Sequence, residues 1–343
     1  MRNLTIALES ASPAWTIPDG DVLALRRDFP DLRVVDARDD AAIEAAIPGA
    51  EILFCWGLGE AVFARAAALR WLHAPAAGVG AYLTPAIVKR APIVTNSRGV
   101  HAVPIAEHVL GMLVALARGL PRGVREQAEG AMRRERWWEG DQVPAELAGR
   151  TLGLYGYGAI AREVARRASA FGMRIVALKR EPARAPFDPD LLQAIGLPPE
   201  EPPLDALYGP GDFDRFLEES DAVVLTAALT PETEGRFDAR AFARMRPGSW
   251  LVNIARGKIV REEDLITALR AGRPAAAALD VFEREPLPVT SPLYKLENVI
   301  LTPHVSGLST GYWPRSMSLF RANLTRYLEG RPLLNQVDLT KGY

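Results

Sequence analysis

Cysteine is almost absent: the 343 residues hold one, Cys55. No intrachain disulfide can form, so a packed core must hold the fold, and a reducing compartment, the cytoplasm, is the expected location. Cys55 lies in the apolar run Ile52 to Trp56, where a thiol behaves as a small buried hydrophobe. Net charge is nearly absent too. Lys and Arg number 41 against 42 Asp and Glu, which leaves −1 at pH 7. That balance gives no electrostatic footing for nucleic acid or an anionic membrane as partner. No apolar run reaches the roughly 18 residues of a membrane span. The nearest, Ile105 to Ala117, is interrupted by Glu107 and His108 and closed by Arg118. The start, MRNLTIALES, lacks the apolar core of a signal peptide and reads as a strand. No segment repeats and none is of low complexity.

What is present is an ordinary globular composition, 48% hydrophobic and 24% charged, with length for two domains. The first hundred residues alternate apolar runs at Leu4–Leu8, Leu32–Val35, Glu51–Cys55, Trp71–His73 and Ile93–Thr95 with helix-like stretches. Asp39 and Asp40 suit a helix cap before Ala41–Ile47. The alternation restarts at Thr151, with strands expected at Thr151–Tyr155, Arg174–Leu178, Ala222–Thr226, Trp250–Ile254, Ala275–Val281 and Val299–Thr302. Strands that alternate with helices imply βαβ units and parallel sheets.

Between the two halves a long helical region runs from about Pro104 to Ala128, and Pro121 and Gly123 should break or kink it. Its first half is apolar on nearly every face, so it needs cover from its own core or from a second subunit; a shared subunit interface, a homodimer, is the expectation. Arg180 to Pro210 is proline-rich and without period, and reads as a long surface excursion. The tail from Ser316 to Leu328 has helical spacing.

Chemistry enters with Gly156-Tyr157-Gly158-Ala159-Ile160-Ala161, which ends a strand and opens a helix. This satisfies G-x-G-x-x-G/A, the dinucleotide fingerprint. Gly156 makes the tight turn, Gly158 lets a pyrophosphate approach, and Ala159 and Ile160 begin the helix whose N-terminus faces it. Ala161 is small enough for helix and sheet to pack closely. The fingerprint's acid, about 20 residues on, is missing. Lys179 and Arg180 stand there instead, two cations suited to a 2′-phosphate, so NADP is favoured over NAD.

Downstream, Arg256, Glu285 and His304 each follow a strand-like segment. Singly they are ordinary surface charges. Together, beyond a nucleotide fingerprint, they can meet at one edge of a parallel sheet, where open α/β folds place their chemistry. A histidine titrates near neutral pH, and a neighbouring carboxylate favours its protonated form.

The runs GLYGYGAIA, LTPETEG, MRPGSWLVNIARG, AALDVFEREPLP and LTPHVSG, in this order, resemble the D-isomer-specific 2-hydroxyacid dehydrogenases over nearly the whole length, and among them the glyoxylate/hydroxypyruvate reductases. The resemblance implies an α/β architecture of two Rossmann/flavodoxin-like parallel-sheet domains with the active site in the cleft between them. It implies a discontinuous substrate-binding domain, 1–99 plus 305–343, and an inserted dinucleotide-binding domain, 100–304. It makes His304 the acid/base, Glu285 its partner and Arg256 the cation that polarises a small 2-oxo acid. It assigns Asp280 to the nicotinamide amide, and backbone amides at Ala77, Gly78 and Val79 to the substrate carboxylate. Three positions depart from the pattern. Lys179 replaces the usual acid, Gly80 replaces a common Asp, and the segment around 188–203 resembles an insertion without an assigned role. A nucleotide-sensing corepressor on the same fold is the alternative reading. Trp137 or Trp138 of a neighbouring subunit, and Trp313 with Tyr312, either line the site or pack between elements.

Overall fold

The computed structural model describes residues 1–138, 143–183 and 187–340. They form two compact units, each built on its own parallel sheet. The first unit holds residues 1–100, 187–199 and the chain from 309 on; the second holds the remainder.

The first unit runs β1 (Arg2–Ala7), α1 (Asp19–Asp28), β2 (Leu32–Asp36), α2 (Asp40–Ala46), β3 (Ile52–Cys55), α3 (Glu60–Arg65), β4 (Trp71–Ala74), α4 (Pro85–Arg90) and β5 (Ile93–Asn96). Its sheet has the order β2-β1-β3-β4-β5, with every pair parallel. β3 and β4 are buried at every position. Strands covered on both faces read as unbroken apolar runs, which is why periodicity finds them without alternation. Asp39 caps α2 through the Ala42 amide (2.7 Å). Cys55 is fully buried, and burial pushes its thiol away from the reactive thiolate.

The second unit begins with α5 (Ala102–Ala117) and α6 (Leu120–Ala128), then β6 (Thr151–Tyr155), α7 (Ala159–Ala170) and β7 (Arg174–Leu178). After α8 (Pro189–Ala194), which belongs to the first unit, come β8 (Ala206–Tyr208), α9 (Phe213–Glu219), β9 (Ala222–Leu225), α10 (Ala239–Arg244), β10 (Trp250–Asn253), α11 (Glu262–Arg270), β11 (Ala276–Leu279) and β12 (Val299–Leu301). The seven strands order as β12-β11-β10-β9-β6-β7-β8. The helical region breaks at Arg118-Gly119, just before Pro121 enters the first turn of α6. α5 buries Ile105, Ala106, Val109, Leu110, Met112 and Leu113 in the core that α7, β6 and β10 share. Much of its apolar character is therefore met inside its own unit, with Val114 and Leu116 partly buried. Among the described residues, no single helix is long and apolar enough to cross a membrane.

The excursion at 180–210 has more order than its sequence suggests. β8 pairs with β7 and supplies the edge strand. α8 buries Leu191 and Leu192 and packs on the final helix, α12 (Tyr312–Leu328), where Asp190 pairs with Arg326. Segment 187–199, which the sequence pattern leaves inside the second domain, is thus part of the first unit. α12 also starts four residues earlier than the spacing suggests, at Tyr312.

Candidate active site

β12, β11 and β10 are neighbours, so the loops after them share one end of the sheet. These loops carry His304, Glu285 and Arg256 respectively. The Arg256 loop is tied by Asn253, whose Oδ1 accepts from the Ala255 amide (3.1 Å) and whose Nδ2 donates to the Arg256 carbonyl (3.1 Å). Gly257 then presses on the next loop: a Cβ there would lie 1.8 Å from the Phe282 carbonyl carbon. The Phe282 amide donates to Glu285 Oε1 (3.1 Å), and Glu285 Oε2 meets His304 Nδ1 at 2.7 Å. A backbone contact thus transmits the position of one loop to the carboxylate that holds the histidine. Arg256 is exposed, and its Nη1 donates to the Ala255 carbonyl (2.6 Å).

The His304 and Glu285 side chains are 50% and 36% exposed. At that exposure the pair contributes on the order of 0–1 kcal/mol to stability, so its main effect is orientation. With Nδ1 bound to Glu285, the other ring nitrogen is left to take or give a proton.

His304 sits at φ +54°, in the left-handed region. For a residue with a Cβ this costs about 1–2 kcal/mol, so the surroundings must enforce it. Asp280 does much of that. It is fully buried; its Oδ1 accepts from the Thr302 hydroxyl (2.6 Å) and the Val305 amide (2.9 Å), and its Oδ2 from the Ser306 amide (2.9 Å). Burial alone would raise its pKa, but the hydrogen bonds from Ser306, Thr302 and Val305 outweigh burial and hold it below the usual carboxylate range. Asp280, which the resemblance links to the nicotinamide amide, is in the structure a brace for the loop bearing His304.

The fingerprint residues lie at the same unit's β6–α7 junction. Gly156 has φ +96°, and a Cβ there would fall 2.7 Å from the Ala227 amide nitrogen, so only glycine fits. Gly158 precedes α7 and has nothing within 4 Å of where a Cβ would be, leaving the helix N-terminus with Ala159 and Ile160 open on that side. Ala161 is fully buried in the core. This is the cradle a pyrophosphate requires. Lys179 is half-buried and Arg180 exposed at the end of β7. Arg180 Nε lies 3.6 Å from Glu181. Glu232 is held below the usual carboxylate range first by the Thr230 hydroxyl and also by the charge of Arg180.

In the first unit, the loop after β4 exposes Ala77 and Gly78 and buries Val79. The Ala76, Ala77 and Val79 carbonyls accept from the Ser97 amide, the Asn96 side chain and the Tyr82 amide, while the amides of residues 77–79 carry no hydrogen bond among the described residues. Tyr312 is buried with its hydroxyl on the Pro75 carbonyl (2.9 Å), and the Trp313 indole donates to the Ala14 carbonyl (3.1 Å). Trp137 donates to Glu126 (3.0 Å) under Arg122; Trp138 is 61% exposed beneath Arg134. Sequence reasoning missed Gly257, Thr302 and His108. Gly257 had a signal, the glycine directly after the arginine; the other two had none.

A family model described as "D-isomer specific 2-hydroxyacid dehydrogenase, NAD binding domain" matches residues 110–306. The chain is similar to a glyoxylate reductase from Korarchaeum cryptofilum, 36% identical over 280 residues, which cover 81% of this chain and 78% of that one. It is also similar to a D-3-phosphoglycerate dehydrogenase from Archaeoglobus fulgidus, 33% identical over 258 residues. That match covers 74% of this chain and 44% of the relative, so the chain spans less than half of that protein. Among solved structures, a D-isomer specific 2-hydroxyacid dehydrogenase from Xanthobacter autotrophicus, in complex with NADPH and MES, is similar with a TM-score of 0.77 and 28% identity, covering 100% of this chain and 99% of that one.

Proposed function

The chain belongs to the D-isomer specific 2-hydroxyacid dehydrogenase family of NAD(P)-dependent oxidoreductases, and on that premise we propose that it reduces a small 2-oxo acid of the glyoxylate or hydroxypyruvate kind. The single observation that carries the catalytic part is the 2.7 Å pair of His304 and Glu285, on loops that leave the same sheet end as the loop bearing Arg256. Protonated His304 delivers its proton to the carbonyl oxygen of the substrate. Arg256 stabilises the negative charge that builds there. Glu285 holds the imidazole by Nδ1 and so fixes its orientation. The backbone amides of Ala77, Gly78 and Val79 take the substrate carboxylate. Gly156, Gly158, Ala159 and Ile160 fit a nicotinamide dinucleotide, which supplies the hydride when bound.

Within this reading the cofactor is NADPH in preference to NADH. Lys179, not an acid, directly follows β7, and Arg180 comes next, two cations suited to a 2′-phosphate. The solved relative from Xanthobacter autotrophicus, with NADPH, supports the same choice. Lys179 and Arg180 together supply the positive charge that a 2′-phosphate needs. A hydrogen bond to a charged group is worth about 1.5–3 kcal/mol, and exposure puts the effect near the low end, about tenfold.

The test is a panel of 2-oxo acids with NADH and NADPH, run on the parent, His304→Ala and Lys179→Asp. Turnover should fall by about 10²–10⁴ in His304→Ala while nucleotide binding survives. Lys179→Asp should reverse or erase the cofactor ratio. Near-normal turnover in the first variant removes His304 from the chemistry, and a parent that prefers NADH removes the NADPH assignment.

A further inference from the structure

We propose that two further histidines, His108 on α5 and His101 at its start, are positioning residues that clamp the loop carrying His304. The inference rests on the reading of His304 as acid/base. The two lie seven residues apart, about two helical turns, so they share one face of the helix. His108 Nε2 is 3.2 Å from the Thr302 hydroxyl oxygen, and His101 Nδ1 is 3.0 Å from the Gly307 carbonyl oxygen. These contacts bracket His304 on both sides.

Counting hydrogens fixes which ring nitrogen carries the proton. Thr302 has one hydroxyl hydrogen, and it goes to Asp280 Oδ1 at 2.6 Å, because a carboxylate only accepts. His108 Nε2 must therefore donate to the Thr302 oxygen. A carbonyl only accepts as well, so His101 Nδ1 donates to Gly307. Burial holds the His108 pKa below its ordinary value, against the opposing pull of Asp280, whose Oδ1 lies 3.9 Å from Nε2. A neutral ring with its proton on Nε2 meets the need of Thr302 without adding a charge. Gly307 belongs to the same fit: a Cβ there would come within 3.2 Å of His101 Nδ1.

The loop is thus held at Thr302 by His108, at Val305 and Ser306 by Asp280, and at Gly307 by His101. The left-handed His304 stands between the first and second of these grips. Releasing Thr302 frees one side of the strained residue, and a misplacement of about 1 Å in a catalytic group costs up to roughly 100-fold in rate.

The test compares His108→Phe, which keeps a ring but loses the N–H, with His108→Gln, which keeps a donor. Reduction of glyoxylate with NADPH gives kcat and KM; fluorescence titration gives nucleotide Kd; thermal unfolding checks the fold. His108→Phe should lose roughly 10- to 100-fold in kcat with nucleotide Kd unchanged, and His108→Gln should recover most of it. Thr302→Val and Thr302→Ser, which respectively remove and keep the hydroxyl, should behave in parallel and decide the matter if His108→Phe does not fold. His304→Ala is run beside them. Loss of turnover in His304→Ala with parental kcat in both His108→Phe and Thr302→Val overturns the clamp alone. Equal losses in the Phe and Gln variants overturn it too, because the donor is then irrelevant. Parental turnover in His304→Ala overturns the acid/base reading and the clamp with it.

Discussion

Gly257 and Glu285 show how one residue decides the state of the site. A methyl group on Gly257 would overlap the Phe282 carbonyl, and backbone cannot rotate away as a side chain can. Gly257→Ala should therefore destabilise the chain by about 1–3 kcal/mol, the usual range for overpacking, and lower kcat by moving the Phe282 amide that orients Glu285. Urea unfolding and steady-state kinetics measure both; parental values for each would show that the two loops move independently. Glu285→Gln keeps the shape but removes the anion 2.7 Å from the imidazole. The ring then loses the partner that fixes its orientation, so kcat for reduction should fall while nucleotide Kd stays at the parental value. Parental kcat would show that the carboxylate does not position His304.

At the scale of elements, β4 and β5 carry a buried polar pair that sets an acid limit on the first unit. His73 on β4 is fully buried, with Nδ1 2.7 Å from the Thr95 hydroxyl and Nε2 3.2 Å from that of Ser97. The Trp71 indole donates to the same Thr95 oxygen (2.8 Å). Desolvation holds the His73 pKa down to about 3. Below the ordinary value of 6.5 the unfolded chain binds a proton here and the folded chain does not, so stability falls as pH falls, until about pH 3. At pH 5 this amounts to about 2 kcal/mol relative to pH 7, at about 1.4 kcal/mol per pH unit. His73→Gln should lose stability at pH 7 but show a shallower decline between pH 7 and pH 5 in urea unfolding. A parallel decline would mean that His73 titrates in the folded state.

For the whole molecule, the case for self-association rests on α6 and the segment just beyond it rather than on α5. Leu120 and Val124 are 51% and 63% exposed, and Trp138 is exposed as well. Apolar groups this open, close in sequence beyond a buried helix, suit a two-fold contact with a second copy. Light scattering at micromolar concentration should give a dimer mass, and Val124→Glu should shift it toward monomer. A parent that runs as a monomer would show that this surface stays in water.

The sequence alone determined the two parallel sheets, the fingerprint at Gly156 and Gly158, and the three loop-end residues Arg256, Glu285 and His304. Each rests on a local signal: a buried strand is a short apolar run, a tight turn needs glycine, and a charged residue just past such a run lies at a sheet end. Tertiary structure alone decided the rest. β8 is three residues among prolines, too short for a period, and exists because β7 offers an open edge. α8 joins the first unit because it packs on α12 and pairs Asp190 with Arg326, a contact across more than 100 residues of chain. The apolar face of α5 looked like an interface because periodicity registers that a face is buried without registering what buries it. Asp280 and His108 act on His304 through hydrogen bonds between segments up to about two hundred residues apart, and the direction of those bonds follows from proton counts that only the assembled loop makes possible.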